Sequence, residues 1–180
     1  VISWMRIGFI HGVMNTDNTL ISGETIDYGP CAMMNQFDLD TVFSSIDHQG
    51  RYAFGNQPNI ANWNIARLAE SLIPLFADQE SAVEQLSPVV NGFAAKFNDA
   101  FNTMWQQKLG LAGQHEGDHA LVSELLGLMK QHQLDYTNTF NALTESLLAD
   151  FAIPTSLKEW HKKWNVRISS KSYETMRAVN

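Results

Sequence analysis

Apolar residues recur at three- and four-residue steps over most of the chain from Pro58 onward, the spacing of helices that turn one face inward. Ile60, Trp63, Leu68, Leu72 and Phe76 predict the first, with Pro74 breaking or kinking its end because proline lacks an N–H and crowds the preceding turn. Glu80 to Leu86 reads as a short helix. Ser87-Pro88 then reads as the N-cap and first residue of a long one, whose stripe of Val89, Val90, Phe93, Phe97, Phe101, Met104 and Trp105 predicts a core face running to Gly110. The glycine-rich residues 110–117 predict a connection, after which Asp118 caps a helix carrying Leu121, Leu125 and Leu128. Asp135 caps another, with Phe140, Leu143 and Leu147 inside; Pro154 interrupts, and Leu157 to Ile168 forms a last amphipathic segment through Trp160 and Trp164.

The first third has a different texture. Residues 1–10 are apolar apart from Ser3 and Arg6, and fit either a buried helix or a strand. Thr19 to Ile26 reads as two short strands turning at Ser22-Gly23. Residues 28–57 hold Gly29, Pro30, Gly50 and Gly55 with no sustained period, which predicts a long ordered loop or several short turns, and such loops tend to carry function. The expected fold is mainly α with a small β-hairpin near the N-terminus, one domain in which residues 1–57 hold the hairpin and loop and residues 58–180 form a helical bundle. An opening at Val1, inside an apolar run with no N-cap, reads as a segment of a longer chain.

Composition narrows the function classes. A net charge of -7 argues against a nucleic-acid role, which relies on clustered Lys and Arg, and no apolar run is long enough to span a membrane. Residues 1–60 hold six carboxylates against Arg6 and Arg51, an acidic front that suits a cation site, while the Lys and Arg of residues 151–180 read as a solvated helix face. The single cysteine, Cys31, rules out an internal disulfide and fits a reducing compartment.

Against that background the stretch His11-Gly12-Val13-Met14-Asn15-Thr16-Asp17-Asn18, followed by Asp27-Tyr28-Gly29, carries the most chemistry. Asp17, Asn18 and Asp27 flank the predicted hairpin, and two carboxylates with an amide suit Mg²⁺ or Mn²⁺, hard cations that take oxygen ligands and keep waters and substrate phosphate. Asp and Asn are also ordinary turn residues. A second motif, His115-Glu116-Gly117-Asp118-His119, fits the zinc-protease pattern H-E-x-x-H, but its glycine and the capping Asp118 favour a loop that ends in a helix cap. His48-Gln49-Gly50-Arg51 could line a cleft or pin the long loop.

The order His11, Asn18, Asp27-Tyr28-Gly29 is similar to the protein-kinase pattern H-x-D-x-x-x-x-N followed by D-F-G, except that Val13 stands where a kinase has its catalytic Asp. With Thr25 to Pro30, Asp47-His48-Gln49-Gly50-Arg51-Tyr52, Asn56-Gln57-Pro58, Lys108-Leu109-Gly110-Leu111, Asp135-Tyr136-Thr137 and Met176-Arg177-Ala178-Val179-Asn180, the chain resembles the selenoprotein O family (YdiU in bacteria) of kinase-fold protein adenylyltransferases. The resemblance implies the helical C-terminal lobe of a kinase-like fold and transfer of AMP from ATP to Ser, Thr or Tyr hydroxyls of proteins, in the cytoplasm if bacterial. It implies Asp17 as proton acceptor, Asn18 and Asp27 as ligands of Mg²⁺ or Mn²⁺, and Asp27 also at the nucleotide phosphates. His11 would orient the loop rather than act as acid or base. The family's glycine-rich lobe and its phosphate-binding Lys have no counterpart in these residues, so this segment alone is expected to be inactive; Cys31 does not match the family's C-terminal redox residue. The alternative is a nucleotide-binding pseudokinase or interaction scaffold without catalysis.

Overall fold

The computed structural model describes residues 1–148 and 153–180, and its chain divides into two compact units. The first comprises Val1, residues 10–32 and residues 39–99; the second comprises residues 2–9, 33–38 and 100–180. Helix α1 (Ile2–Ile7) leads through Gly8 into strand β1 (Phe9–Ile10), which pairs with β2 (Ala32–Met33). The early apolar run is therefore helix and then strand in turn. The expected strands within Thr19 to Ile26 do not form. That segment instead makes a turn, closed by the Gly23 N–H donating to the Leu20 carbonyl, and its exposed Leu20 and Ile21 have no opposing apolar face to hold a ladder.

In the first unit, α2 (Gln57–Leu72) follows a 3₁₀ turn at Phe54–Asn56 and ends in another at Ile73–Leu75 containing Pro74. Its inward face is Gln57, Ile60 and Asn64, while Trp63 and Leu68 are exposed, so the predicted apolar stripe is displaced by buried amides. Helix α3 (Gln79–Asn91) starts earlier than the sequence suggests, because Asp78 is the N-cap: its side chain accepts from the Ser81 N–H at 2.8 Å. Pro88 consequently lies inside α3 rather than opening a helix, and the break comes at Gly92 before α4 (Phe93–Lys108). Of the expected core stripe only Met104 and Trp105 are fully buried, and Val89 is well exposed.

The second unit is built around α5 (Asp118–Gln131), α6 (Tyr136–Glu145), α7 (Lys158–Asn165) and α8 (Ser172–Val179). Leu121 and Leu125 are buried as expected, and Asp135 caps α6 by accepting from the Asn138 N–H. Trp160 and Trp164 stack with centroids 5.9 Å apart, and each indole N–H donates to a backbone carbonyl, of Leu121 and Leu109 respectively. Tyr136 is anchored through its hydroxyl to the Met5 carbonyl. Gly8 meets the face of the Tyr136 ring at φ +74, where a Cβ would come within 2.9 Å of Cδ1. No described helix is long and apolar enough to cross a membrane.

Candidate active site

His11 begins the site. Only 1% exposed, it is locked at three points: its backbone N–H donates to Gln57 Oε1 at 3.1 Å, Nδ1 faces the Val13 N–H at 3.4 Å, and Nε2 lies 2.8 Å from the Ile26 carbonyl oxygen. With Nδ1 accepting, Nε2 carries the proton and donates to Ile26. That bond fastens the residue before Asp27 to the first residue of the loop that leads to Asp17 and Asn18, so the two halves of the sequence pattern meet although no strands form within Thr19 to Ile26. Gly12 permits the turn between them at φ +85, where a Cβ would sit 3.0 Å from Pro30 Cγ.

The loop ends in a 3₁₀ turn, Thr16–Asn18, with Asp17 exposed at its centre. Asn18 Nδ2 donates to the Val13 carbonyl at 3.1 Å, which fixes the amide so that Oδ1 is the oxygen that could hold a cation. Asp27 is exposed and holds φ +52, a left-handed conformation that is uncommon for a non-glycine residue and recurs at functional sites. Among the described residues, neither Asp17 nor Asp27 enters an ion pair that would consume its carboxylate. Asn18 Oδ1 and Asp27 are a sparse donor set, which suits a hard cation that retains waters and substrate oxygens rather than a caged structural ion.

Helix α2 supports the loop from beneath. Asn64, buried, donates from Nδ2 to both the Met14 carbonyl at 3.0 Å and Thr19 Oγ1 at 2.8 Å. Sequence reasoning assigned neither Gln57 nor Asn64 a role. Their seven-residue separation, two helical turns on one face, was the available signal. The Asp47 to Tyr52 segment pins a flank: the Asp47 carboxylate accepts from the N–H groups of Arg51 at 2.8 Å and Tyr52 at 2.7 Å. Burial pushes the Asp47 carboxyl up, but these backbone donors outweigh it and hold it below the usual range. Tyr52 in turn hydrogen-bonds the Asn15 side chain through its hydroxyl. His48 is exposed beside a cavity of about 760 Å³ that it lines with Asp40 and Asp47.

The zinc-type motif is a loop running into a helix, but Asp118 does not cap that helix as expected: the N-cap is Gly117, without a side-chain bond, and Asp118 is the first helical residue. His115 to Gly117 precede α5, Asp118 accepts from the His115 N–H, and Arg167 grips the Asp118 carboxylate through Nε at 2.8 Å and Nη2 at 3.0 Å. Cys31 Sγ lies 3.5 Å from the Tyr28 carbonyl oxygen, a structural contact.

Comparison with known proteins agrees with the family resemblance. A family model described as "Protein adenylyltransferase SelO" matches residues 1–179. The "Protein nucleotidyltransferase YdiU" of Pseudoalteromonas translucida is 67% identical over 181 residues, covering 100% of this chain and 39% of the relative. The proteins of the same name from Anoxybacillus flavithermus and Geobacillus kaustophilus are 51% and 47% identical over 100% of this chain, covering 38% and 39% of their lengths. The chain thus spans less than two fifths of these relatives, and it belongs to the SelO family of protein adenylyltransferases.

Proposed function

We propose that the intact protein transfers AMP from ATP to a Ser, Thr or Tyr hydroxyl of a protein, with Asp17 as the base and Asn18 and Asp27 as the ligands of Mg²⁺ or Mn²⁺. The observation that carries this reading is the buried His11 ring bonded to the Ile26 carbonyl, because it couples the Asp17 and Asn18 turn to Asp27. In the reaction the acceptor oxygen attacks the α-phosphorus, the bond from that phosphorus to the bridging oxygen breaks, pyrophosphate leaves, and the hydroxyl proton passes to the Asp17 carboxylate. The cation, when bound, neutralises phosphate charge. The protein's own part is positioning: α2 holds the loop through Asn64, and the exposed Asp17 is open to an incoming side chain.

On this reading the nucleotide lobe lies in the remainder of the intact protein, and the segment by itself is expected to turn over no ATP. Val13, in the place of a kinase's catalytic Asp, favours a second reading as a nucleotide-binding scaffold. Incubating the full-length protein with α-labelled ATP, Mg²⁺ and candidate proteins separates the two. Label on protein that is lost in Asp27→Ala supports transfer, whereas ATP binding without label under any divalent metal supports the scaffold.

A further inference from the structure

On the first unit's surface, two guanidinium groups converge on one exposed indole. The Arg51 guanidinium carbon lies 4.6 Å from the Trp63 ring centroid and 5.7 Å from that of Tyr52, and Arg67 lies 5.2 Å from Trp63. This unit is otherwise acidic: Arg51, Arg67 and Lys96 are its cations, against ten carboxylates. Arg67 spends part of its charge on Glu70 in an exposed pair one turn along α2, which is worth little. The Arg51 guanidinium enters no ion pair among the described residues, its backbone N–H alone meeting Asp47.

Each arginine is linked to the Thr16–Asn18 turn through a neighbour. Tyr52, under Arg51, bonds Asn15, the residue before that turn. Arg67 forms part of the wall of an open groove of about 470 Å³ that also includes Thr16 and Thr19 of the loop, and Leu20, Ile21 and Leu68. Ile21 is 88% exposed, and Leu20 and Leu68 are 40% and 41% exposed, so an apolar surface lies open next to the exposed Asp17.

We infer that this groove and the arginine pair dock the substrate polypeptide: an apolar side chain next to the acceptor hydroxyl enters the groove, and an acidic side chain pairs with Arg51 and Arg67. The inference rests on the adenylyltransferase reading in one respect, that the docked segment carries the acceptor. The charge argument selects an acidic peptide over a polyanion, because a chain of net charge -7 repels a continuous phosphate backbone, whereas an isolated Glu or Asp beside an apolar residue satisfies both halves of the surface. Stacking on Trp63 and Tyr52 restricts the guanidinium groups and reduces the ordering cost of the pair.

The test is fluorescence anisotropy on the full-length protein with short labelled peptides, each holding one Ser beside a Leu, flanked by Glu in one set and Lys in the other. Wild type is expected to bind the Glu set about fivefold to tenfold more tightly, the contribution of two exposed ion pairs, with the preference fading in 1 M salt (about 3 Å screening length). Arg51→Gln with Arg67→Gln removes the preference, Arg51→Glu with Arg67→Glu reverses it, and replacing the peptide Leu by Ser weakens binding to wild type. Reversal is a result that mere loss of folding cannot produce. Equal binding of both sets by wild type, or an unchanged preference in the double Gln variant, overturns the inference. AMP transfer is scored separately on the same peptides. Transfer without charge preference sinks the docking surface alone, and preference without transfer to any acceptor sinks the adenylyltransferase reading while the surface stands.

Discussion

His11 and Ile26 are joined by a 2.8 Å hydrogen bond from a ring with almost no solvent exposure to a backbone carbonyl. The bond spans fifteen residues and takes the place of the ladder that a hairpin would have supplied. His11→Ala leaves the Ile26 carbonyl and the Val13 N–H without this partner and opens a cavity, a loss of about 2–4 kcal/mol in stability. AMP transfer falls with it, because Asp27 loses its tether. Urea unfolding followed by Trp fluorescence measures the first effect and label transfer the second. His11→Ala with unimpaired transfer would show that the tether does not position Asp27.

Asn64 is the corresponding support on α2. In Asn64→Leu the Met14 carbonyl loses its donor inside the protein, which costs about 1–3 kcal/mol, while the γ-branched shape of the side chain is kept. Asn64→Asp is the sharper comparison, because it puts an acceptor against two acceptors at almost unchanged shape. Both variants are expected to lower kcat more than they raise the KM for ATP, and steady-state kinetics on the full-length protein checks this.

Gly12→Ala tests the backbone at the same place. A side chain at φ +85 carries a strain of about 1–2 kcal/mol, and the added Cβ presses on Pro30, three residues beyond Asp27. Gly23→Ala is the control, since Gly23 also has positive φ but nothing lies within 4 Å of its Cβ position. The melting temperature should fall in both variants, and transfer should fall further in Gly12→Ala.

Lys108 makes a prediction about pH. It is 3% exposed, its Nζ donates to Asn180 Oδ1 at 2.9 Å, and it lies 3.9 Å from the Phe140 ring centroid. Burial, with a smaller contribution from the Arg6 charge, brings its pKa from 10.5 down to about 7, and the ring and amide contacts only partly offset this. The folded value lies below the unfolded one, so the unfolded chain binds more protons between pH 7 and 10.5 and stability rises with pH across that window. The slope is at most about 1.4 kcal/mol per pH unit. Lys108→Met is expected to flatten the rise seen in wild type, and denaturant titrations at pH 7, 8 and 9 measure the difference between the two proteins. Parallel curves would mean that Lys108 keeps its charge when buried.

The sequence showed what is local. Asp135 caps its helix because a capping carboxylate needs only the next turn's N–H groups, and Trp160 and Trp164 mark a buried face by their spacing alone. It also grouped His11, Asp17, Asn18 and Asp27 as one pattern, and the family resemblance drawn from that pattern and the other motifs is the family found by comparison. Where competing local signals existed, reading failed: Ser87-Pro88 looked like a helix start, yet Asp78 had already capped α3 and Pro88 was carried inside it. Long-range polar contacts were not legible at all. Gln57 and Asn64 carry no local signal of burial, and their partners lie 46 and 50 residues away. The burial of Lys108 is equally long-range, made by Phe140 and Asn180. The strands are two residues each, too short for any alternation to announce them.

The central claim is that Asp17 accepts the acceptor's proton while Asn18 and Asp27 serve the nucleotide. Single-turnover transfer of AMP by the full-length Asp17→Asn variant, with ATP affinity measured alongside by calorimetry, tests it most directly. The account predicts that transfer slows by about a hundredfold or more while the Kd for ATP with Mg²⁺ changes by less than about threefold. Transfer at the wild-type rate, or a loss of rate explained entirely by lost ATP binding, would contradict it.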